Sequence, residues 1–328
     1  MPPILNFVIK ICIIKLGALG DVVRTTSILE AIKEKYPTSE ITWITKPMSK
    51  EILTENPNIN QILTINDNIG IKFDILYNFD IEQDATKLAL QIKADKKYGY
   101  YDNGGFPASF NESAEYYLNT VFDDNLKKSN RKSYQEMIFE TAELEYKNQK
   151  PKLFISEQAK QFAENFIKEN NLIDKKIIGL NIGSSERWPS KAWHIEKIKE
   201  FIIKAKEKKY EVILLGADNE EQAKQKLISG FKVYFPETSD SLKKLFAIIN
   251  ICDKIVTADS LVLHTALAFN KPTIGLFFCS TPYEIEGYNS LTKIISPMFE
   301  QFFPEKMNQY NEELVKSIGV KQVINSLG

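Results

Sequence analysis

Two glycines and an aspartate in Gly17-Ala18-Leu19-Gly20-Asp21 stand between an apolar run, Ile11–Ile14, and a helical repeat of Val22, Thr26, Leu29, Ile32 and Tyr36 that Pro37 stops. A turn leading from a parallel strand into a helix lies at the carboxyl end of the sheet, where open α/β folds bind ligands. Glycines there, Gly20 among them, let the backbone approach a ligand closely. Asp21 has two readings. It can cap the helix, worth about 0.5–2 kcal/mol, or act as a general base once a bound substrate desolvates it. A helix N-terminus favours the carboxylate and so weakens the second role. The spacing is not G-x-G-x-x-G, and the dinucleotide fingerprint is absent.

Further polar groups follow strands in the second half. After Ile177–Asn181 come Gly183-Ser184-Ser185 and then Lys191-Ala192-Trp193, leading into a helix. Hydroxyls, a lysine and a helix N-terminus together suit an oxyanion such as a phosphate, although this is not the P-loop spacing. The alternative is a solvated loop anchored by Trp188 and Trp193. After Glu211–Leu215, Asp218 and Glu221 have capping-box spacing, which leaves Glu220 either solvated or bonded to ribose hydroxyls. After Lys254–Thr257, Asp259 or Ser260 caps a short apolar helix with His264 one turn inside it, as a packed ring or a ligand contact. Ser280 and Thr281 follow strand Thr273–Phe277. The convergence of these junctions on one sheet edge carries more weight than any single one.

The positioning elements are strands alternating with amphipathic helices, the pattern of an α/β fold with parallel sheets. Strands are expected at Ile11–Ile14, Ile41–Ile44, Ile62–Ile65 and Ile75–Tyr77, and helices at Asp84–Ile92 and Ser133–Leu144. The aromatic region 99–132 reads as loops and short helices, with an acceptor-facing surface as its functional reading. Alternation weakens over Lys147–Asp174, the expected interdomain connection. A second series then runs through the strands named above, a further strand at Lys232–Phe235, and helices at Ile195–Lys208, Asn219–Leu227, Ser241–Asn250 and Ser260–Phe269. Domains are expected at 1–155 and 173–305, with the helix in 311–328 returning to the first.

Length and composition narrow the function. A chain of 328 residues, 43% apolar and 26% charged, supports two ordinary cores. A net charge of −1 provides no bulk positive field, which argues against nucleic acid as a partner. With 2 histidines, and with 3 cysteines placed far apart, neither a His-rich metal site nor a disulfide framework is expected. No Asp-x-Asp motif is placed to hold a divalent ion, and the expected chemistry is metal-independent. The apolar segment Ile4–Val23 contains Lys10 and Lys15, each costing roughly 2.5 kcal/mol or more in a bilayer centre. Neither a membrane span nor a secretory signal is expected, and the location predicted is cytoplasmic.

Taken together, these residues resemble glycosyltransferase family 9, the ADP-heptose:lipopolysaccharide heptosyltransferases. Ile13-Ile14-Lys15-Leu16-Gly17-Ala18-Leu19-Gly20-Asp21-Val22-Val23-Arg24-Thr25-Thr26, continuing to Tyr36-Pro37, is similar to the family's opening segment. Lys191-Ala192-Trp193 resembles its Lys-x-Trp phosphate motif, and Asp259-Ser260 with His264 resembles its Asp-[Ser/Thr]-Gly-x-x-His donor motif. Leu261 stands at the family's glycine, His194 where a proline is common, and Phe278-Cys279-Ser280-Thr281-Pro282 where Gly-Pro-Thr-Asp-Pro is usual. The resemblance implies two Rossmann-like domains facing each other across a cleft in the GT-B arrangement, and an inverting transferase without a cofactor. Asp21 would be its base, Lys191 with Ser184 and Ser185 would hold the diphosphate, and Glu220 would lie near the nucleoside. Asp259, Ser260, His264 and Ser280 would complete the donor site. The implied partners are a nucleotide-sugar donor such as ADP-heptose and a lipid-linked oligosaccharide acceptor. Basic residues Lys127, Lys128, Arg131 and Lys132 would supply weak peripheral contact at the inner face of the cytoplasmic membrane. Two other functions stay open, a GT-B transferase for another nucleotide sugar and a binding protein that has lost turnover.

Overall fold

The computed structural model describes residues 8–183, 187–216 and 230–328. The chain divides into two units, Met1–Phe154 and Ile155–Gly328.

Unit 1 runs β1 (Lys10–Ile14), α1 (Leu19–Thr25), α2 (Ile28–Lys35), β2 (Glu40–Thr45), α3 (Lys50–Leu53), β3 (Gln61–Thr64), β4 (Phe73–Asn78), α4 (Gln83–Gln91), β5 (Ala94–Asn103), β6 (Phe106–Ser109), α5 (Glu115–Phe122), α6 (Asp124–Ser129) and α7 (Tyr134–Thr141). Its sheet has the order β3-β2-β1-β4-β5-β6, in which β6 alone is antiparallel to its neighbour. From β1 the chain moves outward to β2 and β3, then crosses back to β4. The β1/β4 junction is therefore a topological switch point, the place where an open parallel sheet opens a crevice at its carboxyl edge. Strand β1 is buried on both faces, as a central parallel strand must be. Cys12 and Ile14 pack there with Ile44, Leu76, Ala85, Ala89 and Ile92.

Two expectations for this unit change. The single helix expected through Tyr36 is broken into α1 and α2, because Thr26 and Ser27 hydroxyls donate to the carbonyls of Val23 and Arg24 and compete with the helical ladder. The aromatic region is more regular than expected, since β5 and β6 form a hairpin turned by Gly104 (φ +64°) and Gly105 (φ +95°). Gly99 is required inside β5. Its φ is +91°, and a Cβ there would sit 1.8 Å from the Asn78 carbonyl oxygen.

Unit 2 runs α8 (Glu157–Glu169), β7 (Lys176–Asn181), α9 (Ile195–Glu207), β8 (Tyr210–Leu215), α10 (Leu242–Ile251), β9 (Lys254–Ala258), α11 (Leu261–Ala268), β10 (Thr273–Phe277), β11 (Leu291–Ile295), α12 (Phe299–Phe302), α13 (Glu312–Lys316) and α14 (Val320–Asn325). Its sheet is parallel throughout, in the order β11-β10-β9-β7-β8, with the switch point between β7 and β9. The helix inside the expected connection, α8, belongs to this core through Ala159, Ala163 and Phe166. The expected strand at Lys232–Phe235 is reduced to one bridge between Ile213 and Tyr234, followed by Pro236, which has no N–H to extend a ladder. The helix expected at Asn219–Leu227 lies outside the described residues. The return of 311–328 to the first domain is corrected: Val320, Val323, Ile324 and Leu327 share the core of unit 2 with Ile198, Phe201 and Ile202. The Trp193 indole fixes this segment further by donating to the Ile318 carbonyl at 3.2 Å.

Candidate active site

At the switch point of unit 1, the chain leaving β1 meets the chain leaving β4. Asp80 accepts the backbone N–H groups of Leu16 (2.9 Å) and Gly17 (2.6 Å). The Lys15 ammonium lies 3.7 Å from the same carboxylate oxygen and donates to the Phe79 carbonyl at 3.0 Å. Burial pushes Lys15 toward neutrality, but the fields of Asp80, Tyr134 and Asp21 outweigh it and hold the ammonium well above its ordinary range. Gly17 is tightly confined, since a Cβ would stand 3.2 Å from Asp80 Oδ2 and 3.3 Å from Lys15 Nζ.

Gly20 and Asp21 lie in the first turn of α1, whose N-cap is Ala18. The capping reading of Asp21 is thereby corrected. Its carboxylate instead takes both Nε (3.0 Å) and Nη2 (2.7 Å) of Arg24 on one oxygen, Oδ1, with 31% of the side chain exposed. The Arg24 guanidinium stacks 3.6 Å from the ring centroid of Tyr134, the first residue of α7. A capping box at Ser133 and Glu136 fixes that helix end. Unit 1 thus presents a partly exposed carboxylate held by an arginine, together with a buried lysine–aspartate pair.

The second switch point is built from Asn181 at the end of β7 and Thr257 in β9. Asn181 Nδ2 lies 3.1 Å from Thr257 Oγ1, 2.9 Å from Ser260 Oγ and 3.3 Å from the Gly183 carbonyl. Ser260 is the N-cap of α11, without a side-chain capping bond. Beside it, Lys191, at the end of a 3-10 turn (Pro189–Lys191), donates to Asp259 Oδ2 at 2.7 Å. His264 Nε2 lies 3.6 Å from Asp259 Oδ1. Burial would raise Asp259, but Lys191 and then His264 outweigh it and hold its carboxyl well below the ordinary range. Ser280 is buried in the turn after β10. Its neighbour Cys279 lies within the field of the same charges, and burial pushes that thiol up to about 11. Ser190 accepts the Asn311 N–H and donates to the Gln309 carbonyl, which ties the lysine-bearing turn to the chain before α13.

Of the residues singled out in the sequence, Lys191, Asp259 and His264 are brought into one cluster, Ser260 into the adjoining asparagine–threonine network, and Gly20 and Asp21 into α1. Ser184, Ser185 and Glu220 lie outside the described residues. Sequence reasoning missed Lys15, Asp80, Arg24, Tyr134, Asn181 and Thr257. A signal existed for the first two: Lys15 is a charge inside an apolar run, and Asp80 follows a strand that continues the same sheet. Tyr134 had none, being 110 residues beyond the arginine it stacks on by the difference of their numbers. Among the described residues, no group of three His, Cys, Asp or Glu side chains could hold a metal ion, and no helix is long and apolar enough to cross a membrane.

The chain is 26% identical to the lipopolysaccharide core heptosyltransferase OpsX of Haemophilus influenzae over 326 residues, covering 93% of this chain and 89% of that protein. Two solved structures share the fold. The glycosyl transferase family 9 protein of Veillonella parvula gives a TM-score of 0.79 at 21% identity, covering 97% of this chain and 96% of that one. The ADP-heptose LPS heptosyltransferase II of Escherichia coli gives 0.70 at 19% identity, covering 97% of each. The family model for glycosyltransferase family 9 (heptosyltransferase) matches residues 66–315. That span takes in β4 with Asp80 and the whole Lys191–Asp259–His264 cluster, and the chain belongs to glycosyltransferase family 9, the heptosyltransferases.

Proposed function

We propose that this protein transfers a heptose from ADP-heptose to a lipopolysaccharide-core acceptor with inversion at the anomeric carbon. Asp21 would take the proton of the acceptor hydroxyl as its oxygen bonds to that carbon. The bond from the carbon to the diphosphate breaks, and the charge left on ADP would fall to Lys191 and helix N-termini. Ser260, His264, Ser280, Ser184 and Ser185 would line the donor, with Glu220 on the nucleoside. The observation that carries this reading is the pairing of Lys191 with Asp259 at the β7/β9 switch point. An ammonium oriented by a carboxylate at the carboxyl edge of a parallel sheet supports diphosphate binding there. A base tied to a cation is a weaker base, so the acceptor hydroxyl must share Asp21 with Arg24 in a desolvated site.

Lys191 supplies the cation that a divalent ion supplies elsewhere, which supports metal-independent transfer. The test is release of ADP from ADP-heptose with and without a lipid A-core acceptor, in EDTA. Acceptor-dependent release in EDTA is expected. Release that needs added magnesium or manganese would contradict metal independence, and none under any condition would favour a binding protein. The departures at Leu261 and Phe278–Pro282 leave another nucleotide sugar as a second reading, tested by a donor panel read by thermal shift.

A lipid-linked acceptor places the protein at the cytoplasmic face of the membrane, with transient contact through the basic end of α6. Lys132 pairs with Glu140 at 2.7 Å, which removes part of that field. Only weak, salt-sensitive binding to anionic vesicles is expected. Binding unchanged on neutralising Lys127, Lys128, Arg131 and Lys132 would exclude this surface.

A further inference from the structure

Asp21 is braced from two sides by one buried side chain. On the first side, Arg24 holds Oδ1 with two donors while its guanidinium carbon lies over the Tyr134 ring, 3.6 Å from the centroid. On the second, Thr25 Oγ1 lies 2.6 Å from the Asp21 carbonyl oxygen and 2.6 Å from the Tyr134 hydroxyl. A carbonyl only accepts, so the single threonine proton points to Asp21 and the phenol must donate to Thr25. The contacts close a ring: Asp21 carboxylate, Arg24, Tyr134 ring, Tyr134 hydroxyl, Thr25, Asp21 carbonyl. Tyr134 is fully buried, and these contacts reach Asp21 through Arg24 and Thr25.

We infer that Tyr134 is a positioning residue for Asp21, setting the carboxylate through Arg24 and the helix backbone through Thr25. The inference rests on Asp21 being the base. Two donors on one carboxylate oxygen restrain it, and a guanidinium held over a ring moves away only by losing both contacts. Such bracing matters for a base, because a small misplacement of a reacting group costs much of the rate. It also separates arginine from lysine at this position. A bare positive charge beside Asp21 would be restored by Arg24→Lys, whereas a stacked two-donor fork would not.

Steady-state kinetics with ADP-heptose and a lipid A-core acceptor, together with ADP titration calorimetry and thermal unfolding, test the inference on Tyr134→Phe, Arg24→Lys, their double variant and Asp21→Asn. Tyr134→Phe keeps the ring and the packing, so it remains informative if larger changes fail to fold. It should lower kcat roughly 3–10-fold, as for one lost hydrogen bond. Arg24→Lys should lower kcat roughly 10–100-fold. Donor KM and ADP affinity should stay at the parental values in both, and the double variant should lose less than the product of the single losses. Full turnover in Arg24→Lys and Tyr134→Phe, with Asp21→Asn inactive, would overturn the positioning role and leave the base in place. Turnover retained by Asp21→Asn would remove the base reading and this inference together. Losses of kcat that follow losses of melting temperature or ADP affinity would show that Tyr134 is structural only.

Discussion

Lys15 and Asp80, at the switch point of the first unit, have 5% and 4% of their side chains exposed. Lys191 and Asp259, at that of the second, keep 15% of each side chain in contact with solvent. Both pairs join a lysine to an aspartate at the carboxyl edge of a parallel sheet, yet their neighbours differ. The first pair is enclosed by backbone: Asp80 takes two N–H groups and Lys15 a carbonyl, and Gly17 leaves no gap beside them. The second is enclosed by side chains, with His264 on one carboxylate oxygen and Lys191 on the other. A buried pair with satisfied backbone partners shapes a loop, while a reachable pair can exchange one partner for a ligand. At the switch point of unit 1 the reachable carboxylate is Asp21, in the first turn of α1.

Breaking the enclosed pair should have the largest effect. Lys15→Met leaves Asp80 without its counter-charge and should cost about 3–5 kcal/mol, as for other buried pairs that lose one member. Urea unfolding followed by a probe in unit 1 measures it. A loss under 1 kcal/mol would mean that the backbone donors alone satisfy Asp80, and that the two switch points are alike. Lys191→Ala removes a partly accessible member and should cost less, about 1–3 kcal/mol, mainly the price of an under-satisfied Asp259. An equal or larger loss than that of Lys15→Met would reverse the assignment of structural and functional pairs.

Acidity sharpens the contrast. The folded state holds Asp259 below its unfolded pKa. Its contribution is therefore complete above the ordinary carboxylate range and is lost as pH falls through the folded value. Unfolding of unit 2, followed from neutral pH into acid, should show a shallower decline in Asp259→Asn than in the parent. Parallel curves would mean that Lys191 and His264 do not act on Asp259 in solution. The smallest expected effect is that of Ser133→Ala, about 1 kcal/mol from the loss of the capping box on α7. Turnover should fall only slightly, because Tyr134 keeps its packing. A tenfold loss of turnover would show that the helix end itself sets the arginine stack.

How far these features can be read from sequence depends on the range of the interaction that makes them. The buried parallel strands β1, β2 and β4 announce themselves as apolar runs, and the helix faces of α8 and α9 as repeats of three and four. The Gly17–Asp21 turn and Lys191-Ala192-Trp193 are contiguous, so their place at strand ends follows from local order. Strand β11 was not legible, since as an edge strand it exposes Thr292 and Lys293 and buries only Ile294 fully. Strand β5 was hidden by its glycine and tyrosines, whose extended path is set by pairing with β4 rather than by local preference. Contacts between distant positions, Lys15 with Asp80, Arg24 with Tyr134, and Asn181 with Thr257, follow from sheet order and helix packing. No spacing within a single segment encodes them.

Under the proposed function the labour is divided: Asp21 would act on the acceptor hydroxyl and Lys191 on the donor diphosphate. ADP titration calorimetry of Asp21→Asn and Lys191→Ala, run beside the parent, tests it most directly. ADP affinity should be parental in Asp21→Asn and weaker by about 1.5–3 kcal/mol in Lys191→Ala, the range for hydrogen bonds to charged groups. Parental ADP affinity in Lys191→Ala, or a loss confined to Asp21→Asn, would contradict the account.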